Sequence, residues 1–292
     1  MELPLVVGVD GSDSSLTAVD WAVDEAARHG MPLRLVYASL WERYEGAVPS
    51  GSVGRPSEQV MAEHVVASAA ERAQRRNPDV KVSTDIIPED AVTALLNEGN
   101  NASLLVTGSR GRGELKGLLL GSVGLAVTAR AHCPAVVVRG DPAGLAGTHE
   151  RILLGAGESD TGDEAVRFAF REAEARGCVL DVVRAWRTPA YGTPGGGPPA
   201  AGEAASDSEE RASALLQELL QDAMAGHPDV RVRPVTVEGP AHKVLVDRSA
   251  AADLVIIGAR RRVGHFGLQL GRSSHTLLHH AQCPVAVVPQ RV

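Results

Sequence analysis

The sequence repeats itself once, and this repeat limits the fold more than any other feature. The apolar run Leu5–Val9 returns as Ile152–Ala156, at an offset of 147 residues. Cys133 and the proline after it return as Cys283 and its proline, at an offset of 150. Solenoid repeats have periods of roughly 20–50 residues, so a repeat this long predicts two whole domains.

Each half alternates strand patterns with helix patterns. In the first half the expected strands are Leu5–Asp10, Leu33–Ser39, Val80–Ile87, Leu104–Val106 and Ala135–Val138, and the expected helices before the last loop are Leu16–His29, Ser57–Arg76 and Ala91–Glu98. This alternation predicts an α/β fold with a parallel sheet and right-handed crossovers. We expect domains at residues 1–140 and 150–292, joined by a linker at 141–149.

Composition excludes several classes of function. The net charge of -7 argues against a general nucleic-acid binder, which needs a broad basic face. No apolar run approaches the roughly 18 residues of a membrane span, so no membrane insertion is expected. The three cysteines form no CxxC pair, and the first residues lack a signal-peptide pattern, so the expected location is cytoplasmic.

A glycine-rich loop follows the fourth strand pattern of the first half. Its spacing is Gly108-x2-Gly111-x9-Gly121-Ser122, and a helix pattern begins at Val123. A strand, a glycine loop and a helix N-terminus together favour phosphate binding, because unpaired N–H groups and the helix dipole attract an anion. We expect Ser122 to cap this helix. Two further cations of the loop, Arg110 and Arg112, are candidates to close over the phosphates.

The loop, the opening VGVDGS (residues 7–12) and the closing CPAVVV (residues 133–138) together resemble the universal stress protein family. The resemblance covers nearly the whole chain, twice, in the tandem two-domain form common in actinobacteria. It implies two Rossmann-like (adenine nucleotide alpha hydrolase-like) domains. Each is expected to contain a five-stranded parallel sheet of order 3-2-1-4-5 with helices on both faces. Strands 1 and 4 then flank the switch point of the sheet, which predicts that Asp10 lies beside Gly108.

The resemblance also implies a role for each residue of an ATP site. Contacts to the nucleoside are expected from Gly8, Asp10, Tyr37 or Ala38, Thr107 and Gly108. Contacts to the phosphates are expected from Gly111, Gly121, Ser122 and Val123, mostly through backbone N–H groups. Mg²⁺ is an optional companion, because no dedicated set of carboxylates is evident for it.

The second copy departs from the pattern at three positions. Arg261 replaces the second glycine of the loop, Arg272 replaces the serine, and Gly157 stands where the first copy has Asp10. An arginine where the backbone must approach phosphate should block that approach. We therefore predict one intact nucleotide site, in the N-terminal domain, and a degenerate second domain.

These observations predict an ATP-binding protein of the stress response that signals through nucleotide occupancy and an unidentified protein partner. A nucleotide-free scaffold is the alternative, since the last strand of each copy is an exposed edge suited to a homodimer or an intramolecular pseudo-dimer. Whether cyclic AMP replaces ATP stays open. No catalytic residue is expected, because no Walker A sequence or general base is evident, so any ATP hydrolysis or autophosphorylation should be weak. His275 and His279 have metal-ligand spacing but lack a third ligand, so no metal site is expected.

Overall fold

The computed structural model describes residues 3–40, 57–111, 120–157, 163–188, 201–261 and 268–290. For residues 57, 201–204, 261 and 268–269 only the backbone is described. The chain divides into two compact units whose main bodies meet in sequence between Arg139 and Gly140. Among the helices in these ranges, none is long and apolar enough to cross a membrane.

The first unit is a parallel α/β sheet. Its strands are β1 (Leu5–Gly8), β2 (Leu33–Ala38), β3 (Val82–Ile87), β4 (Leu104–Gly108) and β5 (Ala135–Val138). Its helices are α1 (Asp13–His29), α2 (Ser57–Arg76), α3 (Ala91–Gly99) and α4 (Ser122–Arg130). The strand order is β3-β2-β1-β4-β5, which confirms the predicted fold class.

The second unit repeats this order as β8-β7-β6-β9-β11. Its strands are β6 (Arg151–Gly155), β7 (Val179–Trp186), β8 (Arg231–Glu238), β9 (Leu254–Arg261), the two-residue β10 (Leu268–Gln269) and β11 (Val285–Pro289). Its helices are α5 (Pro142–Ala146), α6 (Asp163–Arg176), α7 (Ala201–Gly226), α8 (Ala241–Ser249) and α9 (Arg272–His280).

Aliphatic side chains fill the core of each unit. The β1 residues Leu5, Val6 and Val7 are fully buried, as expected for a central parallel strand covered on both faces. Trp21 on α1 and Phe168 on α6 are buried at equivalent positions. The strand β1 is therefore continuously apolar up to its carboxyl end, where a site can form.

The segment expected to be a linker, 141–149, contains the short helix α5. Asp141 caps this helix by accepting a hydrogen bond from Gly144 N at 2.8 Å, and Asp141 N donates to Gln282 O at 2.9 Å. Gly140 has φ of 113°, and a Cβ there would overlap the Gln282 carbonyl. The segment is thus built into the second unit rather than forming a plain spacer.

Candidate functional site

A cavity of about 370 Å³ lies at the carboxyl ends of β1, β2 and β4, where the chain order of the sheet reverses. Eleven of the twelve site residues predicted from the sequence line it: Gly8, Asp10, Tyr37, Ala38, Thr107, Gly108, Arg110, Gly111, Gly121, Ser122 and Val123. The twelfth, Arg112, lies outside the described residues. Residues about 100 positions apart in the sequence therefore meet at one site.

Asp10 connects the end of β1 to the glycine loop. One carboxylate oxygen, Oδ1, accepts hydrogen bonds from Ser12 N at 3.0 Å and from Ser12 Oγ at 2.6 Å. The other, Oδ2, lies only 2.7 Å from the position that a Cβ on Gly111 would take. Gly111 is thus a glycine because the loop passes directly against the carboxylate. In the structure Asp10 lies beside this loop, as predicted.

The loop after β4 is held against the first turn of α1 by serine hydroxyls. Ser14 Oγ accepts a hydrogen bond from Arg110 N at 3.1 Å and lies 3.4 Å from Ser109 Oγ. A Cβ on Gly108 would lie 2.6 Å from the Ser14 carbonyl oxygen, so β4 and α1 approach with no room for a side chain. Ser12 caps α1 by accepting from Ser15 N at 3.2 Å. The contact of Ser14 with the loop depends on tertiary packing, because Ser14 precedes Ser109 and Arg110 by 95 and 96 residues in the sequence.

The start of α4 corrects two expectations. The N-cap is Gly121 rather than Ser122, which is the first helical residue and is exposed. Gly121 has extended backbone angles, φ −73° and ψ 153°, and no side-chain capping bond is made. Its N–H donates to Ser109 O at 2.8 Å, so this group ties the loop together instead of facing a ligand.

The free end of α4 still offers donors. The first helical hydrogen bond joins Leu125 N to Gly121 O at 3.2 Å. The N–H groups of residues 122–124 precede that bond and point out of the helix end, where the helix dipole is positive. The exposed Arg110 lines the same side of the cavity. This end of the cavity is suited to an anion.

The opposite wall of the cavity is apolar, and sequence reasoning did not identify most of it. Val9, Val36 and Leu95 line this wall and are buried. Leu95, on α3, packs so closely on β1 that a Cβ at Gly8 would lie 2.8 Å from its Cδ1. Position 8 therefore requires glycine because Leu95 packs against it. The local sequence does not predict that contact, because it joins two elements far apart in the chain.

The cavity lining offers little to a divalent cation. Asp10 is the single carboxylate among the described lining residues, and its Oδ1 is bonded to Ser12. Mg²⁺ prefers six oxygen ligands and commonly takes several of them from phosphates and water. The residues present fit a cation that arrives with a polyphosphate, not one held by the protein alone.

The second unit has a different backbone at the equivalent place. β9 continues to Arg261, three residues past Gly258, whereas β4 ends at Gly108. Ala259 pairs with Pro289 of β11, and its carbonyl accepts from Gln290 N at 2.9 Å. A loop that can approach an anion is thus replaced by a strand whose polar groups are used in the sheet. The other substituted position, Arg272, is exposed at the first position of α9.

A second cavity, of about 320 Å³, lies at the same end of the second sheet. Gly157 occupies the position of Asp10, and Arg184 occupies the position of Tyr37. Arg184 Nη1 donates a hydrogen bond to the Gly157 carbonyl. The missing carboxylate is evident from the sequence, whereas this contact of the arginine depends on the fold.

The fold and the first cavity define a class of protein: a tandem parallel α/β protein with a glycine-lined cavity at the switch point of its first sheet. The profile of the Universal stress protein family matches residues 3–139 and 148–289. The chain therefore belongs to the universal stress protein family.

Similarity to individual proteins extends over the full tandem length. A universal stress protein of Mycobacterium tuberculosis is 33% identical over 306 aligned residues, covering 98% of this chain and 97% of that one. The crystal structure of a universal stress protein from Archaeoglobus fulgidus covers 99% of this chain and 98% of its own, at 18% identity and a TM-score of 0.67, which supports the fold. A universal stress protein solved in complex with cAMP aligns with 47% of this chain, at 28% identity and a TM-score of 0.37, too low to support an argument about the site.

Proposed function

We propose that the first domain binds ATP in the 370 Å³ cavity and signals through its occupancy. The observation that carries the proposal is the chemical difference between the two ends of this cavity. One wall is aliphatic and suits a flat base, and the other ends at the N-terminus of α4 beside Arg110, which suits phosphates. The volume lies in the range of ordinary ligand pockets.

Each part of the nucleotide has a matching group. Val36 and Leu95 offer apolar surface to the base, and Tyr37 and Ala38 stand at its edge. The Asp10 carboxylate is an acceptor for ribose hydroxyls. The N–H groups of residues 122–124 are donors for phosphate oxygens, as P–O⁻ groups bind strongly to oriented N–H groups at helix N-termini.

The residues that line the first cavity fit a signalling role better than rapid turnover of ATP. Rapid phosphoryl transfer requires bound metal ions and a group that positions the nucleophile, and the described lining residues supply a single carboxylate, Asp10. The segment that would meet the phosphates is anchored to α1 through Ser14. Bound phosphate would therefore stabilise one arrangement of the loop after β4, and a partner protein would read that surface.

The test begins with mass spectrometry of the protein as purified, to detect ATP or another adenine nucleotide that co-elutes. Nucleotide-free protein is then titrated with ATP by calorimetry, with cyclic AMP in a parallel titration. We expect one ATP per chain and no binding in Gly111→Arg, which imitates the second domain. Two equivalent ATP sites per chain would refute the proposed difference between the two domains. An absence of measurable ATP binding would favour the scaffold alternative.

A further inference from the structure

The second cavity differs from the first in the chemistry of its lining. The residues that matter are Arg184 from β7, Gly157 after β6, and Ser273 and Ser274 from α9. No carboxylate is present among the described residues that line it. This described lining thus lacks a carboxylate acceptor for ribose hydroxyls, and a cation stands where the first domain has a tyrosine.

Ser274 is a buried polar side chain that faces this cavity. It is 6% exposed, and its hydroxyl makes no hydrogen bond to any described residue. The equivalent residue of the first domain is Gly124, so the hydroxyl is an addition of the second domain. Because this hydroxyl opens onto the cavity and makes no bond to the described protein, Ser274 is available to accept or donate a hydrogen bond with a ligand there.

The first turn of α9 supplies further donors beside Ser274. Gly271 is the N-cap and makes no side-chain capping bond, and the first helical hydrogen bond joins His275 N to Gly271 O at 3.1 Å. The N–H groups of residues 272–274 precede that bond and are directed out of the helix end. Ser273 adds a second hydroxyl to the lining. Donors and a cation converge here without an opposing negative charge in the described lining.

We propose that the second cavity binds a small organic anion, a phosphomonoester or carboxylate, instead of an adenine nucleotide. Its anionic group lies against Ser273, Ser274 and the start of α9. Arg184 exchanges its hydrogen bond to the Gly157 carbonyl for one to the anion, a stronger partner because it is charged. The organic part lies against the side chains of Leu245 and Ile257, which line the remainder of the cavity. This site is independent of the ATP site proposed for the first domain.

The experiment titrates phenyl phosphate, benzoate and AMP into the full chain, using calorimetry and the Gly111→Arg variant alongside the wild type. We expect phenyl phosphate to bind once per chain in Gly111→Arg, in which the first cavity is blocked, and AMP to bind no tighter than phenyl phosphate in that variant. Benzoate tests the carboxylate arm. Loss of a hydrogen bond to a charged group should weaken binding roughly tenfold or more in Arg184→Gln and in Ser274→Ala.

Matched controls use exposed positions on α7. Ser206→Ala and Arg211→Gln remove the same groups from the surface, and neither should change the affinity. Thermal melts establish that each variant is folded. The proposal is wrong if none of the anions binds, or if binding is equally tight in Arg184→Gln and Ser274→Ala. Tight AMP binding in Gly111→Arg would show a retained nucleotide site instead.

Discussion

Gly111→Ala is the smallest change that tests the first site. The added Cβ would lie 2.7 Å from Asp10 Oδ2, whereas ordinary van der Waals contact begins at 3.4 Å. The carboxylate must therefore move by several tenths of an ångström, or the loop must move away from it. The first movement strains the bonds from Ser12 N and Ser12 Oγ, at 3.0 and 2.6 Å.

The size of the effect follows from those bonds. A hydrogen bond to a charged group contributes about 1.5–3 kcal/mol. Since Asp10 is only half-buried, we expect the free energy of unfolding to fall by about 1 kcal/mol. Displacing the carboxylate from the ribose should cost about 1.5 kcal/mol of binding free energy, which raises the dissociation constant for ATP roughly tenfold.

The assay is calorimetric titration of ATP into nucleotide-free protein, with a thermal melt of each sample. Gly271→Ala is the control, because it lies in the second domain at the position equivalent to Gly121 and its Cβ would meet nothing within 4 Å. We expect that control to bind ATP with unchanged affinity. An unchanged dissociation constant in Gly111→Ala would refute the contact between loop and carboxylate as the basis of the site.

Four further predictions concern packing, a hydrogen bond and protonation. Gly8→Ala should destabilise the protein by about 1–3 kcal/mol through overlap with Leu95; chemical denaturation should show partial rescue by Leu95→Val, and absence of rescue would contradict this account. Gly108→Ala should cost more than Gly8→Ala, because its Cβ would meet the Ser14 backbone carbonyl at 2.6 Å, and backbone yields less than a leucine side chain. Ser14→Ala removes the acceptor of a loop N–H at 3.1 Å and should lower the free energy of unfolding by about 0.5–1.5 kcal/mol, measured by urea denaturation. Burial raises the pKa of the Cys133 thiol from 9.0 to about 11, so this thiol should resist iodoacetamide at pH 8 in the native state and react after unfolding. For the same reason, the contribution of the protonated Cys133 thiol to the free energy of unfolding is present below pH 9 and is lost as the pH rises toward 11, because over this range the thiol ionises in the unfolded chain but not in the folded one. If the free energy of unfolding of the wild type, relative to that of Cys133→Ala, did not fall over this range, the account would be wrong.

The regular elements were predictable because their signals are local. The helix expected at residues 57–76 is α2, Ser57–Arg76, and the strand expected at 135–138 is β5. Both come from hydrophobic periodicity and flanking residues. The duplication predicted two units, and the resemblance supplied the strand order that the structure has.

The ends of elements were less predictable, because they depend on groups from other parts of the chain. Gly121 is the N-cap of α4, and its N–H bonds to the Ser109 carbonyl, a group of the loop after β4. The strand β9 runs past Gly258 because β11 provides a hydrogen-bonding partner as far as Ala259 and β10 also pairs with β9. Neither event has a local sequence signature.

The sequence by itself determined the repeat, the α/β alternation and the glycine spacing after the fourth strand, because each depends on residues near one another in the chain. Only the tertiary structure decided that Leu95 forms the apolar wall, that Ser14 anchors the glycine loop, and that Arg184 bonds to the Gly157 carbonyl. These contacts join residues 27 to 96 positions apart. They arise because a parallel sheet brings the carboxyl ends of its strands to one edge, whatever their separation in sequence.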